Sequence, residues 1–131
     1  MKDDAGSVIT LDKLFLHINL IMRDWIFLFF AIVSETFGTM MLNYSEQLSR
    51  LWPTIGTIVG YLLSFYLLAQ ALRTIPVGIA YAIWGAVGIV LIMILGAILF
   101  KQMPDLPAII GILLIMAGIM VINFFSKMEV H

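Results

Sequence analysis

The chain contains no cysteine, which removes a disulfide framework, a thiol nucleophile and any thiolate metal site at once. Histidine is nearly as scarce: only His17 and His131, both in the tails, so a histidine metal centre has little to be built from. No glycine-rich phosphate loop, HExxH or GxSxG pattern occurs, and enzyme chemistry is not expected. Neither a cofactor nor a metal is implied, and no nucleic-acid partner. Charge is thin as well, with seven basic and eight acidic residues among 131.

What is abundant is oil. The chain is 63% hydrophobic with a mean hydropathy of +1.10, more apolar surface than a water-soluble core of this size can hide. Four apolar runs, residues 25–44, 51–72, 78–100 and 106–125, are each long enough at ~1.5 Å rise per residue to cross a ~30 Å hydrocarbon layer as a helix. Lipid offers the backbone no hydrogen bonds, and the runs lack the strict alternation of barrel strands. The expected fold is all-α, an integral membrane bundle of four transmembrane helices with both termini on one side of the bilayer.

Residues 1–21 mix charge with a short apolar piece. They are too acidic at the start for a secretory signal and too short in their apolar part to span, so they are expected to be a cytoplasmic extension, or an upstream start preceding Met22. The four-helix unit would then be residues 22–126, with a tail at 127–131. Its connections, 45–50, 73–77 and 101–105, are short and carry polar clusters or prolines, which makes successive helices antiparallel neighbours. From Met22 onward, Arg23, Arg73 and Lys127 lie on the side of the termini and Arg50 and Lys101 on the other. Three against two is a weak instruction for orientation; Lys2 and Lys13 raise it to five against two.

Every charged residue but one lies in a tail, a loop or a span end. The exception is Glu35, in FLFFAIVSETFGTMML, near mid-membrane. An ionised carboxylate there costs at least about 2.5 to 3.5 kcal/mol on insertion scales, so it should face protein or a water-filled cavity. One account is a protonated acid bonded between helices. The other is functional: desolvation favours the neutral, proton-bearing form, and an arriving cation would expel that proton. A carrier that changes sides only when its carboxylate is occupied then exchanges one for the other. Leu28, Ala31, Ile32, Gly38, Thr39 and Leu42 share the helix face of Glu35. Their small members leave room for a substrate, although close helix packing also favours small residues.

Aromatic residues supply a partner for such an acid. Tyr81 and Trp84, three apart in GIAYAIWGAVG, share a face inside the third run, and π faces attract cations by ~2 kcal/mol or more when desolvated. Trp25 and Trp52 fit interfacial belts. In the second run Tyr61 and Ser64 are also three apart; Phe65 and Tyr66 are assigned to core packing. Along the fourth run Ala108, Gly111, Ile115, Gly118 and Ile122 form a three-four seam suited to close helix pairing. Four helices with one acid are too few to enclose a drug-sized cavity and open it to either side. No internal repeat is visible, so two antiparallel copies would supply the symmetry that other transporters build into one chain.

The blocks SETFGT, SEQLSRLWPTIGTI, SFYLLAQAL, IPVGIAYAIW, VGIVLI and DLPAIIG resemble the small multidrug resistance family, from about Met22 to Ser126. The resemblance implies Glu35 as shared proton and substrate carboxylate and Tyr61, Tyr81 and Trp84 as aromatic wall, with Thr39 and Ser64 as nearby polar groups. It also implies an antiparallel homodimer with dual insertion and fourth-helix contact through Gly111 and Gly118, in the bacterial inner membrane. Gly38 stands where the guanidinium-exporting branch usually has tryptophan, and IAYAIW replaces its TAYAIW, which points to the multidrug branch. Two positions depart from the pattern: Asn43 replaces a lysine, and Trp84-Gly85-Ala86-Val87-Gly88 replaces Trp-Ser-Gly-Val-Gly. The expected function is proton-coupled export of quaternary ammonium and other lipophilic aromatic cations. Guanidinium or polyamine export by the same fold, or a non-transporting regulatory subunit, are the alternatives.

Overall fold

The chain folds into four helices, α1 (Lys2–Tyr44), α2 (Leu51–Ala71), α3 (Val77–Phe100) and α4 (Leu106–Phe125). The structure is a computed structural model that describes residues 2–127, with side chains from residue 10 onward. Met1 and residues 128–131, which hold His131 and most of the expected tail, lie outside the described residues. Among the described residues there is no strand, and all four helices include a segment long and apolar enough to cross a membrane.

Three helices match their apolar runs to within a residue. α1 differs: its 43 residues extend about 65 Å at 1.5 Å per residue, twice the hydrocarbon thickness. Residues 2–21 are continuous with the first span instead of forming a separate segment. The sequence gives the reason, since no proline precedes Pro53 and no glycine lies between Gly6 and Gly38, so nothing halts propagation from the span.

The turns are tight. Glu46, Gln47 and Leu48 all have positive φ, at 50°, 64° and 65°, and the buried Ser45 organises them by donating to Leu42 O at 2.6 Å and accepting from Leu48 N at 3.0 Å. Lys101 closes α3 in the left-handed conformation. Asp105 opens α4, its side chain accepting from Ala108 N at 3.0 Å, with a proline in the first turn.

α1 and α2 pack against each other most extensively. A methyl group added at Gly60 would stand 2.9 Å from Gly38 Cα and 3.0 Å from Ser34 O, so the two backbones touch there. Ser34 Oγ donates to Gly60 O at 2.8 Å and Ser64 Oγ to Ala31 O at 2.9 Å, side-chain bonds worth roughly 0.6 kcal/mol each between membrane helices. Leu28, Ala31 and Ile32 of α1 bury with Leu68 and Ala71 of α2, and Ile75 and Ala80 bring the start of α3 into the same cluster. α3 lies along α1, and α4 lies along α3 with none of its residues fully buried.

Candidate functional site

Glu35 is half-buried on α1, facing α2. One turn later Thr39 Oγ1 donates to Glu35 Oε1 at 2.8 Å and lies 3.0 Å from Tyr61 Oη of α2. A threonine hydroxyl has one hydrogen. With that hydrogen on Glu35, Tyr61 must donate to Thr39, so two hydroxyls in series point their dipoles at the carboxylate.

Beside this chain lies a cavity of about 310 Å3 lined by Glu35, Tyr61, Ser64, Phe65 and Leu68 from α1 and α2 and by Tyr81 and Trp84 from α3. It is at the lower end of the size range for small-molecule sites. The tight α1–α2 pair fixes Glu35 and Tyr61, and α3 brings the second aromatic wall across from them. Trp84 packs partly against the buried cluster, while Tyr81 is 60% exposed. Broader hollows on the outer faces, such as that of about 620 Å3 between Phe30, Phe37, Leu63 and Leu67, are almost wholly apolar and suit acyl chains.

Glu35, Thr39, Tyr61, Ser64, Tyr81 and Trp84 are thus brought together, with a qualification for Ser64. It is 1% exposed and its hydrogen is committed to Ala31 O, so it serves the helix pair first. Leu28, Ala31 and Ile32 are not on the cavity wall. They are between 0% and 2% exposed, in the α1–α2 core, and their position on the Glu35 face reflects close packing. Gly38 likewise lies under α2, with its missing methyl 3.2 Å from the Tyr61 ring.

Phe65 and Tyr66 were expected in the core and are not, being 62% and 61% exposed. Phe65 lines the cavity together with Leu68. The signal for both was available, since Tyr61, Ser64, Phe65 and Leu68 follow the i, i+3, i+4, i+7 spacing of one helix face. Of the α4 seam, Ile115 and Gly118 are exposed and Ala108, Gly111 and Ile122 half-buried. Nothing lies within 4 Å of a methyl group built at Gly111 or Gly118, so the seam is unfilled within one protomer.

One buried charge escaped the sequence pattern. Asp24, at the edge of the first apolar run, is 0% exposed. Arg73 Nη2 donates to its Oδ1 at 3.3 Å and Thr74 Oγ1 to its Oδ2 at 3.0 Å, and Arg23 Nε stands 3.5 Å from Oδ1. Arg73 and Thr74 are about 50 residues away in the chain, a distance that no local spacing reveals.

The profile described as Small Multidrug Resistance protein matches residues 23–115, a stretch that includes every residue lining the cavity. The chain belongs to the small multidrug resistance family. Multidrug transporter EmrE of Escherichia coli (strain K12) is 53% identical over 110 residues, 84% of this chain and 100% of the relative. Quaternary ammonium compound-resistance protein QacF of Klebsiella aerogenes is 44% identical over the same shares. Multidrug resistance protein EbrB of Bacillus subtilis (strain 168) is 43% identical over 102 residues, 78% of this chain and 87% of the relative. With four spanning helices and bacterial relatives of this kind, this small multidrug resistance protein is a multi-pass protein of the bacterial inner membrane.

Proposed function

We propose that this protein is a proton-coupled antiporter that exports quaternary ammonium and other lipophilic aromatic cations, with proton and cation competing for Glu35. The observation that carries the proposal is a carboxylate and four aromatic rings, Tyr61, Phe65, Tyr81 and Trp84, around one cavity. Ring faces attract a bulky delocalised cation by ~2 kcal/mol each when desolvated. A carboxylate about 4 Å from the charge adds on the order of 4 kcal/mol at an effective dielectric of 20. The hydroxyls of Thr39 and Tyr61 serve both states by rotation. They donate towards the ionised acid, and when the acid is protonated it can donate to Thr39 while Thr39 turns to Tyr61.

The names of the relatives support the substrate class, and so does Gly38. A side chain there would begin 3.2 Å from the Tyr61 ring and 3.3 Å from Thr57 O, so the tryptophan that the guanidinium branch carries would have to displace Tyr61. The open cavity, with Tyr81 and Phe65 more than half exposed, supports an antiparallel homodimer in which a second copy closes it and α4 pairs along the Gly111–Gly118 seam. The transporting unit in this proposal is residues 22–126, with residues 1–21 an extension to it.

The test is calorimetric binding of tetraphenylphosphonium to wild type and Glu35→Gln from acid to alkaline buffer. Acid protonates the carboxylate and removes the attraction, so wild-type affinity should fall as pH falls, and adding the cation should release protons. Glu35→Gln should bind about a thousandfold more weakly and without pH dependence. Wild-type binding of equal strength across the range would refute the competition.

A further inference from the structure

We infer that Asp24 is a positioning residue for the aromatic wall of the cavity, acting through the connector between α2 and α3. α1 and α2 are joined along their length by backbone contact at Gly38 and Gly60 and by three side-chain hydrogen bonds, Ser34 to Gly60, Ser64 to Ala31, and Thr39 with Tyr61. α3 has no such fastening. Among the described residues, no side-chain hydrogen bond ties the body of α3 to α1 or α2. Its body packs on the core through apolar side chains such as Ile83, Val87 and Leu91, which can slide, and its specific fastenings are at its two ends. At the far end the Tyr44 and Phe100 rings meet at 4.9 Å. At the near end Asp24 receives Arg73 and Thr74, immediately before Ile75 enters the core and α3 begins at Val77.

That near end is the one that matters for the cavity. Tyr81 and Trp84 stand in the first two turns of α3, seven and ten residues beyond Thr74, whereas Phe100 is sixteen beyond Trp84. Arg73 Nε also donates to Gln70 O at 3.2 Å, which ties the guanidinium to the end of α2 as well as to Asp24. The carboxylate is the buried member, whereas Arg73 and Arg23 are each nearly half exposed; moving the connector would take Arg73 and Thr74 from Asp24 and leave it with Arg23 alone at 3.5 Å, which is costly for a buried charge. The clamp therefore sets how far the wall formed by Tyr81 and Trp84 stands from Glu35, with no contact of its own to the cavity. Only the binding readout rests on the cation-export proposal; the placement of α3 does not.

The experiment uses full-length protein in which Trp25→Phe and Trp52→Phe leave Trp84 as the sole tryptophan. Asp24→Asn, Arg73→Gln, their double variant, Arg73→Lys and Tyr44→Leu are compared by Trp84 emission, iodide quenching and tetraphenylphosphonium affinity. Asp24→Asn and Arg73→Gln should each red-shift Trp84, increase its quenching and weaken binding about tenfold, the loss of much of one desolvated aromatic contact. The double variant should be no worse than either single, and Arg73→Lys should lie nearer to wild type. Tyr44→Leu loosens the far end and should lower the melting temperature without moving Trp84. If Asp24→Asn and Arg73→Gln lower the melting temperature but shift Trp84 no more than Tyr44→Leu does, the clamp is only structural and the inference is overturned. A wild-type protein that binds no cation would instead refute the export proposal, and Trp84 emission would still decide the clamp. Should Asp24→Asn fail to fold, Arg73→Gln against Arg73→Lys decides alone.

Discussion

Gly60→Ala adds a single methyl group at the point where α1 and α2 are closest, and its cost can be worked from the distances. The new carbon would lie 2.9 Å from Gly38 Cα, 3.0 Å from Gly38 N and 3.0 Å from Ser34 O. All three are backbone atoms, so no side chain can rotate away, and ordinary contact begins at 3.4 Å. The helices must separate by at least about 0.5 Å, which on its own forfeits about a quarter of the dispersion well of each atom pair along the seam. The same displacement stretches the Thr39–Tyr61 contact from 3.0 Å to roughly 3.5 Å, beyond useful hydrogen bonding, and lengthens the Ser34 and Ser64 bonds. Overpacking costs typically about 1 to 3 kcal/mol and each of the three weakened interhelical bonds up to roughly 0.6 kcal/mol, for a total of about 1 to 5 kcal/mol. Reversible unfolding in mixed micelles measures this directly. Gly85→Ala is the matched control, because nothing lies within 4 Å of its added methyl. A Gly60→Ala protein as stable as Gly85→Ala would show that the two backbones are not in contact at this point.

Ser64→Ala should cost ~0.6 kcal/mol, and at most about 1.7, in the same unfolding assay, the range for one interhelical hydrogen bond; a loss of cation affinity exceeding the loss of stability would instead give Ser64 a role in the cavity. Tyr61→Phe keeps the Thr39–Glu35 bond but removes its upstream donor, so tetraphenylphosphonium affinity should drop about three- to fivefold with the pH dependence retained. A methyl group at Gly111 or Gly118 meets nothing within its own chain; if α4 pairs in the proposed dimer, Gly111→Leu and Gly118→Leu should leave secondary structure unchanged by circular dichroism while sedimentation in detergent shifts to the monomer, and a dimer retained in both would remove α4 from the interface.

How much of this was legible beforehand differs from residue to residue. Glu35 stood out because an acid among apolar residues is conspicuous at any window length, and Tyr81 and Trp84 because a three-residue spacing shares one face whatever surrounds it. Phe65 was misassigned to the core although its spacing from Tyr61 placed it on the cavity side, since periodicity reports a shared face without reporting what that face looks at. Leu28, Ala31 and Ile32 show the reverse error: they share the face of Glu35, but α2 covers that part of it. Asp24 was read as an ordinary span-end charge, because its burial depends on Arg73 and Thr74 arriving from the far end of α2.

By itself the sequence determined the element class, the number of spans and the presence of one acid at mid-membrane. Those properties are local, following from apolar run length, the prolines and polar clusters that separate the runs, and the cost of unpaired polar groups in lipid. Tertiary structure decided which side of each helix is core and which is cavity, which of several small residues is the contact point, and which charge is clamped. These depend on close approach between segments 20 to 50 residues apart, where a few tenths of an ångström separate a contact from a gap, and no pattern along the chain encodes a distance that short.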